Sequence, residues 1–223
     1  MSTKLFVLRP VVSGAIRMIF RPHINGMKNV PKTGKFIAAS NHLSFFDSVI
    51  IQSLFPRQVA FFAKAEYFTT KGFKGWFMRS FFTAVGSIPV ERGDQGAATA
   101  ALDKLVDVLE ADEGVGIYPE GTRSRDGRLY RGRTGVGWLT LATGAPVIPV
   151  GLVDTDKLQP GGSNRIRRYR FTINVGEPMH FEHPGPKHPL PMRRKVTEAI
   201  VDRIAQLSGQ ERAEGYNKAP VDQ

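Results

Sequence analysis

From residue 36 onward the chain alternates short apolar runs with longer segments of helical period, and this alternation restricts the fold more than any other feature. Strand-length runs at 36–40, 59–62, 115–118 and 147–153 alternate with helices predicted over 45–55, 96–111 and a short stretch ending at Gly144. In the 96–111 segment Ala98, Leu102, Leu105, Val106 and Leu109 share one side. Residues 67–82, rich in glycine and aromatics, read as partly helical, and Pro89 makes 87–90 a short or edge strand. A loop is predicted at 159–164, a strand where Tyr169, Phe171, Ile173 and Val175 alternate, and a last helix over 191–207. Strands joined through helices predict an α/β fold with a mostly parallel central sheet flanked by helices, whose sites gather at the strands' carboxyl ends. A chain of 223 residues has room for one large domain. We expect an amphipathic N-terminal helical segment over 1–25, an α/β domain over 26–207 and a polar, flexible tail over 208–223.

The N-terminal segment carries Leu5, Phe6, Leu8, Val11, Val12, Ile16, Ile19 and Phe20 among Lys4, Arg9, Arg17 and Arg21, and Pro10 predicts a break between two short helices. Two destinations fit it: a membrane interface with the basic groups toward lipid phosphates, or the protein's own core. Its uncharged run, residues 10–16, is too short to span a bilayer, and no signal-peptide cleavage site is evident. The net charge of +11 calls for an anionic partner, whether a phosphorylated substrate, a nucleic acid or an acidic membrane surface. With no cysteine, disulfides, thiolate nucleophiles and thiolate-bound metals are excluded. His180, His183 and His188 lie among prolines without a matching carboxylate motif, so no metal site is expected.

The run Ser40-Asn41-His42-Leu43-Ser44-Phe45-Phe46-Asp47 sets an imidazole and a carboxylate at a strand-to-helix junction. Ser44 followed three residues later by Asp47 is the capping-box pattern, which predicts a helix beginning near Phe45. On one continuous helix, positions five apart would diverge by about 140°. His42 is therefore expected in the turn before the helix, where Asp47 can reach back to one ring nitrogen and leave the other free to take a proton. The helix N-terminus opposes the imidazolium, and the carboxylate favours it as the proton arrives. Capping alone also accounts for Ser44 and Asp47, with His42 a satisfied turn residue.

A second stretch, Glu120-Gly121-Thr122-Arg123-Ser124, offers what a phosphate monoester needs: a glycine for close backbone approach, a hydroxyl and a guanidinium. Glu120 either holds the arginine or shapes the turn, while Arg125, Arg128, Arg131 and Arg133 strengthen the positive field. A solvated loop with scattered arginines is the plainer account. Lys64 and Arg92 each follow a predicted strand, and if both strands join the sheet, Lys64, Arg92 and Arg123 can converge near His42. The spacing of Gly127 to Thr134 imitates a phosphate-binding P-loop, but Arg133 stands where the lysine belongs and no strand leads into it. Gly114-Val115-Gly116 lacks the third glycine of a dinucleotide loop, and no nucleophile elbow of the Gly-x-Ser-x-Gly type occurs.

Taken together, these stretches resemble the bacterial 1-acyl-sn-glycerol-3-phosphate acyltransferases, the lysophosphatidic acid acyltransferase family. Asn41 to Asp47 matches their N-H-x4-D signature, residues 86–92 their second motif, Glu120 to Ser124 their E-G-T-R-S motif and Pro146 to Val150 their fourth, in order across residues 30–155. The resemblance implies that His42 is the general base on an acceptor hydroxyl and that Asp47 orients it, with Asn41 and Glu120 in support. It implies a phosphate site at Arg92, Gly121, Thr122 and Arg123, to which the placement of Lys64 adds a further cation. No cofactor is expected. The partners expected are lysophosphatidic acid, an acyl thioester from acyl-CoA or acyl carrier protein, and the anionic cytoplasmic face of the cell membrane, with peripheral attachment. Glycerol 3-phosphate or another lysophospholipid is the alternative acceptor, and the acyl chain is expected against Phe61, Phe62, Trp76 and Phe81. A basic nucleic-acid-binding module accounts for the charge but gives His42 and Asp47 no role, and no nucleic-acid signature occurs. Where many members carry Phe-Lys-Lys-Gly after the third motif, this chain has Tyr130-Arg131-Gly132-Arg133, and no motif marks the region past Asp154.

Overall fold

The structure, a computed structural model, describes residues 3–84, 87–90, 95–159 and 165–218. In chain order the elements are α1 (Thr3–Phe20), β1 (His23–Asn25), β2 (Phe36–Ser40), α2 (Asp47–Leu54), β3 (Val59–Ala60), β4 (Phe62–Lys64), α3 (Glu66–Thr69), α4 (Gly72–Ala84), β5 (Ile88–Val90), α5 (Gln95–Glu110), β6 (Gly114–Ile117), α6 (Gly135–Thr143), β7 (Val147–Val153), β8 (Thr172–Val175) and α7 (Leu190–Ser208). Six strands form one sheet in the order β1-β8-β7-β2-β6-β3. The four strands β7, β2, β6 and β3 are mutually parallel, and β8 joins β7 antiparallel while pairing with β1 in parallel. The result is the expected α/β fold with a mostly parallel sheet.

The centre of the sheet is apolar on both faces, as a parallel sheet covered by helices must be. Along β2, Phe36 and Ala38 enter one core with Ile50, Ile51 and Leu54 of α2, whereas Ile37 and Ala39 enter the other with Leu105 and Leu109 of α5 and Val196 and Ile200 of α7. The period-two pattern thus sends alternate residues of one strand into two separate interiors. Gly116 of β6 has a packing reason: a Cβ there would fall 2.1 Å from the ring of Phe61. That contact accounts for a glycine in a buried strand without any nucleotide.

Four local expectations change. The run 59–62 is two strands, because β3 pairs with β6 in the main sheet while β4 leaves it to pair with β5 in a two-stranded ribbon. Of residues 169–175 only 172–175 form a strand. Pro10 does not divide the N-terminal segment; α1 runs through it, with Ile16 in the core, Val12 and Phe20 packed against that core, and the Arg9 guanidinium donating to the carbonyls of Phe55 and Arg57 beyond the end of α2. Tertiary contacts on both sides of the proline outweigh its missing hydrogen bond. Residues 209–218, read as polar and flexible, are bonded to the body through pairs such as Ala213 N–H to the Leu129 carbonyl at 2.9 Å. Polar side chains conceal this because the bonds belong to the backbone.

Candidate active site

His42 follows β2 and Glu120 follows β6, and the two strands are parallel neighbours with Ala39 opposite Ile117. Both loops therefore leave the same edge of the sheet. The helix after β2 begins at Asp47, two residues later than the capping pattern suggests, with Phe46 at the N-cap position. Half of the capping box is formed: Asp47 Oδ2 accepts the Ser44 N–H at 2.7 Å, while Ser44 Oγ accepts from Phe46 N–H at 3.3 Å. The same Oδ2 accepts the Leu43 N–H at 2.7 Å and lies 2.9 Å from His42 Nδ1.

Asp47 is fully buried. Because a carboxylate only accepts, Nδ1 carries the proton in this pair, and in the neutral imidazole Nε2 is then the acceptor. The His42 side chain keeps 18% of its surface exposed, so the imidazole is held from behind and open on one side. Tyr118 lies flat on it, with ring centroids 3.8 Å apart and planes 6° from parallel. Burial first, and the charge of Asp47 second, push the Tyr118 phenol well above its ordinary pKa, so it stays neutral.

Asn41, also fully buried, extends the sheet with its side chain: Nδ2 donates to the Leu152 carbonyl and Oδ1 accepts the Leu152 N–H, both at 2.8 Å. A carboxamide supplies both a donor and an acceptor, as a backbone unit would. Nδ2 also donates to Gln210 Oε1 at 2.7 Å.

Among the described residues Glu120 holds no arginine. Its buried carboxyl accepts the Tyr130 N–H at 2.9 Å on Oε1 and the His42 N–H at 3.3 Å on Oε2. Burial raises its pKa to about 7 against the pull of those two N–H groups, and the charges of Asp126 and Asp47 add to the rise. Ser124 N–H returns to the His42 carbonyl at 2.8 Å. Gly121, Thr122 and Arg123 therefore span two anchors on a single residue, and since a residue spans at most about 3.6 Å, none can stray far from the dyad. Gly121 sits at φ 76, in the left-handed region, and a Cβ there would crowd Arg133 at 3.0 Å. Among the described residues the exposed Arg123 guanidinium has no hydrogen-bond or ion-pair partner.

Thus His42, Asp47, Glu120 and the 121–123 turn are brought together. Arg92 lies outside the described residues, as does the side chain of Lys64. The condition for their convergence, membership of both strands in the main sheet, is not met, because β4 and β5 form their own ribbon. Phe61 and Phe62 do not line one tunnel either: Phe61, between β3 and β4, lies in the core with α2, whereas Phe62 packs against the core with α5. Trp76 is 56% exposed, and the side chain of Phe81 lies outside the described residues. Sequence reading missed Tyr118, although its place just after β6 carried a signal, and Gln210, for which there was none.

The sequence model of the family described as Acyltransferase matches residues 21–153, more than half of the chain, including His42, Asp47 and the 120–124 turn. The chain belongs to the acyltransferase family. It is 29% identical over 177 residues to the chloroplast 1-acyl-sn-glycerol-3-phosphate acyltransferase LPAT1 of Arabidopsis thaliana, covering 78% of this chain and 48% of that protein. It is 28% identical over 185 residues to the 1-acyl-sn-glycerol-3-phosphate acyltransferase of Bacillus subtilis, covering 81% and 84% respectively. This acyltransferase chain spans about half the length of the chloroplast relatives it matches. Its fold is that of the crystal structure of PlsC, the 1-acyl-sn-glycerophosphate acyltransferase of Thermotoga maritima, with a TM-score of 0.69 at 23% identity over 92% of this chain and 80% of that one.

Proposed function

We propose that the protein transfers an acyl group from a thioester, carried by coenzyme A or acyl carrier protein, to the free hydroxyl of lysophosphatidic acid, forming phosphatidic acid with His42 as general base. The observation that carries this reading is the Nδ1 contact to a buried carboxylate oxygen already fixed by two backbone N–H groups, which leaves Nε2 outside that contact on a side chain still partly exposed. The hydroxyl oxygen attacks the thioester carbonyl as its proton passes to Nε2; the C–S bond then breaks, and the thiolate leaves and takes the proton. Asp47 holds the ring and stabilises the imidazolium as it forms. Arg123, Thr122 and Gly121 receive the acceptor's phosphate, with Arg92 and Lys64 as further cations.

The relatives named above act, by their names, on 1-acyl-sn-glycerol 3-phosphate, which supports this choice of acceptor. Thioester consumption with lysophosphatidic acid, glycerol 3-phosphate and other lysophospholipids as acceptors tests it. Turnover is expected to be greatest with lysophosphatidic acid and lost in His42→Ala. Retained turnover in that variant removes the base assignment, and oligonucleotide binding without turnover favours the nucleic-acid reading.

We further propose peripheral attachment at the cytoplasmic face of the cell membrane through α1. No helix among the described residues is long and apolar enough to cross a membrane. In support, Val11, Met18 and Ile19 of α1 and Trp76 of the neighbouring α4 are exposed. Arg21, Arg168 and Arg170 line a cavity of about 230 Å³ at the end of α1. Cosedimentation with anionic vesicles should fall when Val11 and Met18 are both changed to glutamate. Undiminished binding would leave α1 a purely structural helix.

A further inference from the structure

We propose that residues 209–218 form a strap that positions the 120–133 loop for its acceptor, with Gln210 and Tyr216 as positioning residues. The inference rests on reading that loop as the acceptor's phosphate site. The segment lies well beyond the residues matched by the family, and its sequence carries no motif.

The strap begins where Gly209, at φ 69, closes α7. Gln210 then bridges the two halves of the site with one carboxamide: Oε1 accepts from Asn41, the residue before His42, and Nε2 donates to the Gly127 carbonyl, both at 2.7 Å. Beyond it the strap lies along the loop as an added strand would. Leu129 N–H donates to the Glu211 carbonyl and Ala213 N–H to the Leu129 carbonyl, each at 2.9 Å, and both Leu129 and Ala213 are buried. Arg131 N–H donates to the Gly215 carbonyl at 2.9 Å, and Asn217 Nδ2 donates to the carbonyl of Arg123 at 3.1 Å. Arg212 fixes the strap to α7 through Glu198 and Asp202.

Tyr216 acts on charge. Its ring meets the guanidinium groups of Arg131, Arg133 and Arg194 at 5.6, 5.8 and 5.6 Å, and its hydroxyl accepts from Arg194 at 2.7 Å. Three cations gathered around one aromatic ring, two of them also paired with Glu198, are kept close in spite of their repulsion. A loop with so many like charges and no regular structure would otherwise lose entropy when an acceptor ordered it, and preorganisation removes that loss before binding. A strap of this kind affects the acceptor and not the thioester, which separates it from a general support of the fold.

The test compares wild type, a chain ending at Gln210, and Tyr216→Ala, with circular dichroism to establish folding. Without substrate, amide exchange at Leu129 and Arg131 should be at least tenfold faster in the shortened chain, since both N–H groups lose their acceptors. In turnover, the KM for lysophosphatidic acid should rise about tenfold in the shortened chain and about threefold in Tyr216→Ala, with kcat and the thioester KM within about twofold. A folded shortened chain with unchanged exchange or unchanged acceptor KM overturns the proposal, as does an equal rise in both KM values. Should the shortened chain not fold, Ala213→Pro, which removes the N–H bonded to Leu129, and Gln210→Ala must show the same selective rise. Wild-type protein that consumes no thioester with lysophosphatidic acid strikes the proposed function instead; the strap is then judged by exchange and by calorimetry with glycerol 3-phosphate, whose affinity should fall in the variants.

Discussion

The turn that carries His42 and the loop that carries Arg123 meet at one edge of the sheet but are held in opposite ways. In the turn the decisive bonds are short in sequence: Asp47 takes N–H groups three and four residues back and an imidazole five back, all on a buried oxygen. The loop has local bonds around Asp126, but the contacts that tie it to the rest of the molecule are distant, from Glu120 and Ser124 on His42 to the Leu129 and Arg131 amides on residues 211 and 215, and its arginines are exposed. On the proposed function, chemistry is encoded locally and recognition is assembled from afar. Substitutions in the turn should abolish the reaction, whereas those in the loop should shift affinity and leave the reaction in place.

The largest effect is expected at the dyad, and it should separate the two members. His42→Ala should lower kcat about a thousandfold, within the range for a general base, with little change in Tm. Asp47→Ala should match that loss and also destabilise the fold, because each buried N–H left without its acceptor costs about 1–3 kcal/mol. Kinetics together with thermal melts decide the matter; equal melting points for the two variants would break the claim that the carboxylate builds the turn as well as orienting the ring.

Glu120 joins the two regions, and its effect should appear as pH dependence. Its carboxyl binds a proton with a pKa of about 7 in the folded chain against the ordinary 4.5, chiefly because it is buried. Between these values the folded state holds more protons than the unfolded one, so this group's contribution to stability falls as pH rises from about 4.5 to about 7 and is flat above. At 1.36 kcal/mol per unit the fall is roughly 3 kcal/mol. Urea unfolding at pH 5 and pH 8 should show that decline in wild type and a much shallower one in Glu120→Gln. Parallel slopes would mean that Glu120 does not titrate in this range.

In the loop, Arg123→Ala should raise the acceptor KM about 10- to 50-fold, the range of one charge-assisted contact, with kcat and Tm nearly unchanged. A drop in kcat with an unchanged acceptor KM would move Arg123 from recognition to chemistry and erase the contrast between the regions.

The same contrast explains which parts were legible in the sequence. The dyad could be read because the spacing of His42 and Asp47 allows only a turn-to-helix arrangement for a contact, and the shared edge followed from two apolar runs that each end in a polar loop. The division of 59–62 was hidden: one apolar run looks like one strand, and the pairing of β3 with β6 and of β4 with β5 shows only in the fold. The strap was hidden more completely, since 169 residues separate Asn41 from Gln210 and its other main bonds use backbone atoms that every residue has.

Tyr118 lies between the two regions, and its effect should be the smallest. It leaves β6 toward the loop yet stacks on the imidazole of the turn at 3.8 Å, with Phe61 behind it at 5.2 Å. A face-to-face ring resists rotation of His42 about its own axis and so keeps Nδ1 on Asp47; aromatic pairs contribute about 0.5–1.5 kcal/mol beyond burial, which in rate is a factor of about three to ten. Tyr118→Leu should therefore lower kcat by that factor and leave the acceptor KM unchanged, while Tyr118→Phe, which keeps the plane and removes only the hydroxyl, should stay within about twofold of wild type. If phenylalanine proves as damaging as leucine, it is the hydroxyl that matters, and the turn depends on the loop strand for a polar contact as well as for packing.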